Sequence, residues 1–167
     1  FRPESLRRVL RYMYHAELEK GEIETMNLPF AREMLLTAYR LKLFHLMKVL
    51  IVRVIIPKMD KSMCLEFLRD TFEREDAKIL WKTLQHYCLN YFAVHSKSIL
   101  SKYSKQIMGF ESKLTYKLIS KALMKCRDIE HMYELLAILV ETGFAANLYD
   151  ILEKVPLAND LESKRFD

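Results

Sequence analysis

Apolar positions along most of this chain recur at intervals of three and four residues, the spacing that gathers them on one side of an α-helix. The pattern is clearest between positions 29 and 92. It predicts four amphipathic helices in two hairpins, 29–40 with 44–56 and then 62–72 with 76–92. Phe30, Met34, Leu35 and Ala38 form the inner face of the first helix, and Leu41-Lys42-Leu43 is a tight connector. Phe44, Met47, Leu50, Ile51, Val54 and Ile55 line the second. Its end is rich enough in β-branched residues to pass for a buried strand, but length and the spacing from Phe44 favour helix. Pro57, with no N–H to donate, is expected to stop it. Asp60 or Ser62 caps the third helix, whose inner face is Met63, Phe67, Leu68 and Phe72. Ala77, Leu80, Trp81, Leu84, Cys88, Tyr91 and Phe92 give the fourth the cleanest stripe in the chain.

The flanks follow the same logic. Pro3 and Glu4 suit a helix start, where a missing N–H costs nothing and a carboxylate meets the positive end of the helix dipole. The stripe predicted for that helix is Leu6, Val9, Leu10, Met13 and Tyr14, with Arg8 and Arg11 on the exposed side. A helix at the very start suggests a chain that begins part-way through a domain. Positions 17–27 read as a loop, and 95–104 as a polar stretch with a short helical turn at Ser98-Ile99-Leu100. After Phe110, the residues Leu114, Leu118, Ile119, Ala122 and Leu123 form one apolar face. A helix over 130–140 ends at Gly143 in a left-handed cap; another over 145–155 stops at Pro156, and 157–167 is a polar tail. A faint echo at an offset of 33 sets Leu35, Ala38, Tyr39 and Met47 on Leu68, Thr71, Phe72 and Leu80, as two similar hairpins would.

Composition narrows the class. With 167 residues, 51% of them apolar, the chain can bury a core as one ordinary domain or two small ones. Three glycines and four prolines are too few turn residues for a sandwich or barrel. The expected fold is all-α, built of stacked antiparallel helical hairpins. Cys64, Cys88 and Cys126 are odd in number and far apart, which is no disulfide framework and suits a reducing compartment. No signal peptide is expected. The most apolar run, 41–56, carries Lys42, His45, Lys48 and Arg53 and is too short to span a bilayer. A soluble protein of the cytoplasm or nucleus is expected.

Chemistry finds little purchase. Three glycines cannot build a dinucleotide or nucleoside-triphosphate phosphate loop. The five histidines form no H-E-x-x-H, and C-x-x-C is absent. His86 and Cys88, two apart on a helix, point in different directions. No catalytic residue, cofactor or metal is expected, and Cys88 reads as a small core residue.

Charge is unevenly spread. Over 95–127, eight cations (Lys97, Lys102, Lys105, Lys113, Lys117, Lys121, Lys125 and Arg127) stand against Glu111 alone, a local charge of +7 where the whole chain has +5. Lys113, Lys117, Lys121 and Lys125, four apart, form a slanted row on a helix. Such a row is most simply a solvated face, and otherwise a site for phosphates or an acidic partner; without interleaved aromatics, nucleic acid is the lesser expectation. Over 60–76 the balance reverses, with Asp60, Glu66, Asp70, Glu73, Glu75 and Asp76 against Lys61, Arg69 and Arg74.

Two stretches taken together resemble a known pairing. Leu6-Arg7-Arg8-Val9-Leu10-Arg11-Tyr12-Met13-Tyr14 resembles the helix that closes the strand-rich part of a BTB/POZ domain. Met34-Leu35-Leu36-Thr37-Ala38-Tyr39-Arg40-Leu41 resembles the next helix of that domain, and 43–52 the one after. From Ser62-Met63-Cys64-Leu65-Glu66-Phe67-Leu68 to Val94, Ser98 and Leu100 the chain resembles the start of a BACK domain. His15-Ala16 departs from the Thr-Gly usual after the BTB tyrosine. The resemblance implies three regions: 1–57 as the helical end of a BTB/POZ domain, 58–127 as BACK-like helices, and 128–167 as further helices and a tail. It implies an interaction module, the adaptor or substrate receptor of a cullin–RING ubiquitin ligase, which would hold an unidentified protein substrate near the cullin. Tyr14 would meet the cullin or pack in the core; Arg11, Asp70, Glu73 and Asp76 would border the contact. The part of a BTB domain with most of its dimer surface lies upstream of these residues, so a homodimer would form through that part. The alternative is a helical-repeat scaffold that holds an acidic protein or nucleic acid through the basic region 97–127.

Overall fold

A computed structural model describes residues 3–15, 17–18, 20–72, 79–145 and 148. All the regular structure among them is helical, as the spacing predicted. None of these helices is long and apolar enough to cross a membrane. The chain divides into two compact units, Phe1–Tyr87 and Cys88–Asp167.

In the first unit, α1 (Pro3–His15) buries Ser5, Val9 and Tyr12. The predicted stripe is therefore rotated: Leu10, Met13 and Tyr14 face solvent. The rotation has a polar cause. The Ser5 hydroxyl donates to Glu33 at 3.3 Å, and the Tyr12 hydroxyl is hydrogen-bonded to His45 Nδ1. Arg8, expected in water, lies over the Phe30 ring at 4.8 Å. Neighbours that satisfy these polar side chains let them occupy the inner face.

A short helix, α2 (Lys20–Thr25), replaces the predicted loop. The N-terminus of α3 (Leu28–Arg40) is capped by Asn27, whose side-chain oxygen accepts from the Phe30 N–H at 2.9 Å. Met34, Leu35 and Ala38 are buried as predicted, while Phe30 is half-exposed beneath Arg8. In the connector, Lys42 takes a φ of 58°, left-handed for a non-glycine. The next helix begins as α4 (Phe44–Leu50), widens into a π-helical turn (Ile51–Ile55) and ends as α5 (Ile56–Lys58). Pro57 thus lies inside the helix, contrary to the sequence reading. In a regular α-helix its ring would press on the carbonyl four residues back. Here the turn just before it is wide, with the Ile56 N–H bonded to the Ile51 carbonyl.

Asp60, rather than Ser62, caps α6 (Lys61–Phe72): its Oδ1 accepts from the Met63 N–H at 2.8 Å. The unit ends within α7 (Ile79–Val94), where Trp81 and Leu84 are buried and Trp81 meets Tyr39 edge-on at 5.3 Å. The Tyr87 hydroxyl donates to the Ile56 carbonyl at 3.2 Å.

The second unit takes up α7 at Cys88, which is buried with Phe92. It continues through α8 (Ser96–Met108), α9 (Ser112–Met124) and α10 (Ile129–Glu141). A full helix therefore stands where a mostly polar stretch with one turn was expected. Its buried residues are Ser96, Ile99, Leu100 and Ile107, with a kink at Tyr103 (φ −122°, ψ 19°). The face predicted for α9, Leu114 to Leu123, is buried as expected. Asp128 caps α10 by accepting from the His131 N–H at 2.7 Å. Removing that cap with Asp128→Ala should cost about 1 kcal/mol, to be read as a shift in the urea midpoint at constant slope. Gly143 takes the predicted left-handed conformation (φ 92°), and a Cβ there would also meet Met108 Cε at 3.3 Å. Phe144 and Leu148 then turn back into the core. The helix expected over 145–155 and the tail fall almost wholly outside the described residues.

Candidate interaction surfaces

The outer face of α1 is the first candidate. Because Ser5, Val9 and Tyr12 hold the helix against α3 and α4, Leu10, Met13 and Tyr14 are turned outward, and Tyr14 is 87% exposed. Of the two roles left open for Tyr14, core and contact, its position excludes the first. Arg11 is exposed beside it and reaches Glu22 of α2 at 3.6 Å. The aromatic that is inside is Tyr12, whose phenol is pushed up from its ordinary pKa by burial. Sequence spacing put Tyr14 on the apolar stripe and left Tyr12 off it.

The acidic corner fares differently. Asp70, expected on the surface, is only 9% exposed. Its carboxylate accepts a bidentate pair from Arg32, Nε at 2.5 Å and Nη2 at 2.8 Å. Glu66 joins at 3.4 Å from the same guanidinium and 2.8 Å from Arg69. The Arg32 pKa is raised above its already high value, chiefly by the Asp70 hydrogen bond. Asp70 is thus a tie between α3 and α6 and leaves the proposed contact. A partner 38 positions away in sequence gives no local signal. Glu73 and Asp76 lie outside the described residues.

The lysine row is placed as the spacing predicted. Lys113 and Lys117 of α9 and Lys125 just after it are exposed, and Lys121 is half-exposed. Lys97, counted among the same cations, is ion-paired with Glu134 of α10. Sequence reasoning overlooked a further surface: Ile129, Tyr133 and Val140 of α10 are exposed, although the helix already buries Leu135 and Leu139. A helix with apolar residues on two sides was the available signal.

Among the described residues no group of three or more His, Cys, Asp or Glu is placed to hold a metal ion. The chain matches no family model, no curated protein and no solved structure.

Proposed function

We propose that this chain is a protein–protein interaction module, the helical end of a BTB/POZ domain continued by BACK-like helices, and that it serves as an adaptor or substrate receptor of a cullin–RING ubiquitin ligase. The observation that carries the reading is Tyr14. The residue that the resemblance sets near the cullin is 87% exposed, with Leu10 and Met13 exposed beside it. Apolar side chains held in water on a packed helix are what a contact surface requires. The mechanism is geometry and affinity, and no bond is made or broken. The cullin would lie along the outer face of α1, with Arg11 at the border and Glu73 and Asp76 kept as part of the proposal. A substrate would be held elsewhere on the protein.

The test is binding of the full chain to the N-terminal region of a cullin. Tyr14→Ala should weaken it by about 1–3 kcal/mol, the usual loss for a truncated interface aromatic. The melting temperature should hold, because Tyr14 packs on nothing that folding needs. Changing Lys113, Lys117 and Lys121 together to Glu should leave cullin binding intact. If the triple change abolishes it while Tyr14→Ala does nothing, the adaptor reading is wrong.

The exposure of the lysine row keeps a second reading in play, a helical scaffold for an acidic protein or nucleic acid. Salt-sensitive binding lost in the triple variant would put that reading first.

A further inference from the structure

About a third of a turn round α10 from buried Leu135 and Leu139, an exposed face is divided lengthwise. At about 100° per residue, Ile129, Tyr133 and Val140 fall within about 40° of one another, with half-exposed Leu136 closing the gap between them. These three are 47%, 65% and 57% exposed. Next to this ridge, on one side only, run the exposed carboxylates Glu130 and Glu141. Between them in sequence, Glu134 is bonded to Lys97 of α8, which ties this border of α10 to the unit beneath it. The ridge spans about three turns at 1.5 Å per residue, or about 16 Å.

We infer that this face of α10 docks an amphipathic helix of a partner protein, one whose apolar stripe is bordered on one side by lysine or arginine. A helix fits because the exposed positions stand three, four and seven apart, the spacing that interdigitates with a second helix and that helix-binding surfaces present as anchors. Tyr133, large and central, would be the anchor. The basic border follows from charge: Glu130 and Glu141 would face cations across the contact and repel an acidic stripe, which also fixes the direction of approach. The row Lys113 to Lys125 of a second copy answers the charge, but the only exposed large apolar residue of α9 is Met124. It offers no stripe for the ridge. The inference uses a different helix from the adaptor contact and stands apart from it.

The probe is a labelled helical peptide about four turns long, with a leucine stripe and a lysine border, titrated against the full chain by fluorescence anisotropy. A matched peptide with a glutamate border is the control. The lysine peptide should bind at least about tenfold more tightly than the control. The double change Glu130→Lys with Glu141→Lys should reverse that preference. Tyr133→Ser, at an exposed position, should weaken the lysine peptide by about tenfold or more with no change in melting temperature, while cullin binding stays as in the wild type. Equal binding of the two peptides, or indifference to Tyr133→Ser, would overturn the inference. So would sedimentation showing that the chain self-associates through Tyr133 in a form the peptide does not compete for.

Discussion

Leu84→Ala should destabilise the first unit by about 2–5 kcal/mol. Leu84 is fully buried in α7, one turn after Trp81, and Trp81 is in turn packed edge-on against Tyr39 of α3 at 5.3 Å. Truncation removes buried methyl groups and leaves a cavity that Trp81, pinned by Tyr39, cannot collapse into. The cost therefore belongs in the upper part of that range. Against a total stability of about 5–15 kcal/mol for a typical domain, it is a large fraction. Urea unfolding followed by far-ultraviolet circular dichroism gives the measurement. A loss below about 0.5 kcal/mol would mean that this side of α7 faces water.

The second large effect lies at the tie between α3 and α6, and it should be asymmetric. Arg32 carries both Nε and Nη2 bonds to Asp70 and a weaker contact to Glu66. Arg32→Ala leaves the Asp70 carboxylate buried without its two donors, and Glu66 with Arg69. A fully buried pair broken from one side costs about 3–5 kcal/mol; Arg32 is partly exposed, so about 2–3 kcal/mol is expected. Asp70→Ala should cost less, because the guanidinium keeps Glu66 within reach and has access to water. Replacing both residues with apolar ones should recover part of the loss. A double-mutant cycle by denaturant unfolding measures the coupling. If Asp70→Ala proves the costlier of the two, Asp70 holds more than Arg32; if it costs almost nothing, the tie is held by Glu66.

What could be read from the sequence, and what could not, follows a physical line. The stripes of α3, α7 and α9 and the apolar part of that of α6 were legible because large apolar residues dominate those faces, and the caps at Asp60 and Gly143 because those residue types serve those positions. The face of α1 was not, because its inner side holds Ser5 and Tyr12. A period count sees only hydrophobicity; whether a hydroxyl is satisfied depends on Glu33 and His45, which the chain brings up later. The same blindness hid Asp70, which pattern reading left in solvent with its acidic neighbours. In α8 the stripe was thin, because only Ile99, Leu100 and Ile107 carry it and Ser96 joins them inside. Pro57 ends the helix slightly later than expected, at Lys58, and the wide turn from Ile51 to Ile55 lets it sit in the last turn. Of the candidate contact residues on α1, Arg11 was read as exposed and is, while Tyr14, left between core and contact, is exposed.

The Lys58 side chain sets the order in which part of this chain can form. Its ammonium donates to the carbonyls of Ile23, Glu24 and Met26 at 2.9, 2.8 and 2.8 Å, one N–H for each. Those carbonyls close α2, a helix far below the length of about 12–15 residues at which a helix in isolation becomes even marginal in water. Its cap arrives from more than 30 positions downstream. The segment is therefore helical only after the chain through α5 has been laid down and folded back upon it. A peptide cut out at either end of α2 is expected to be coil, which circular dichroism checks.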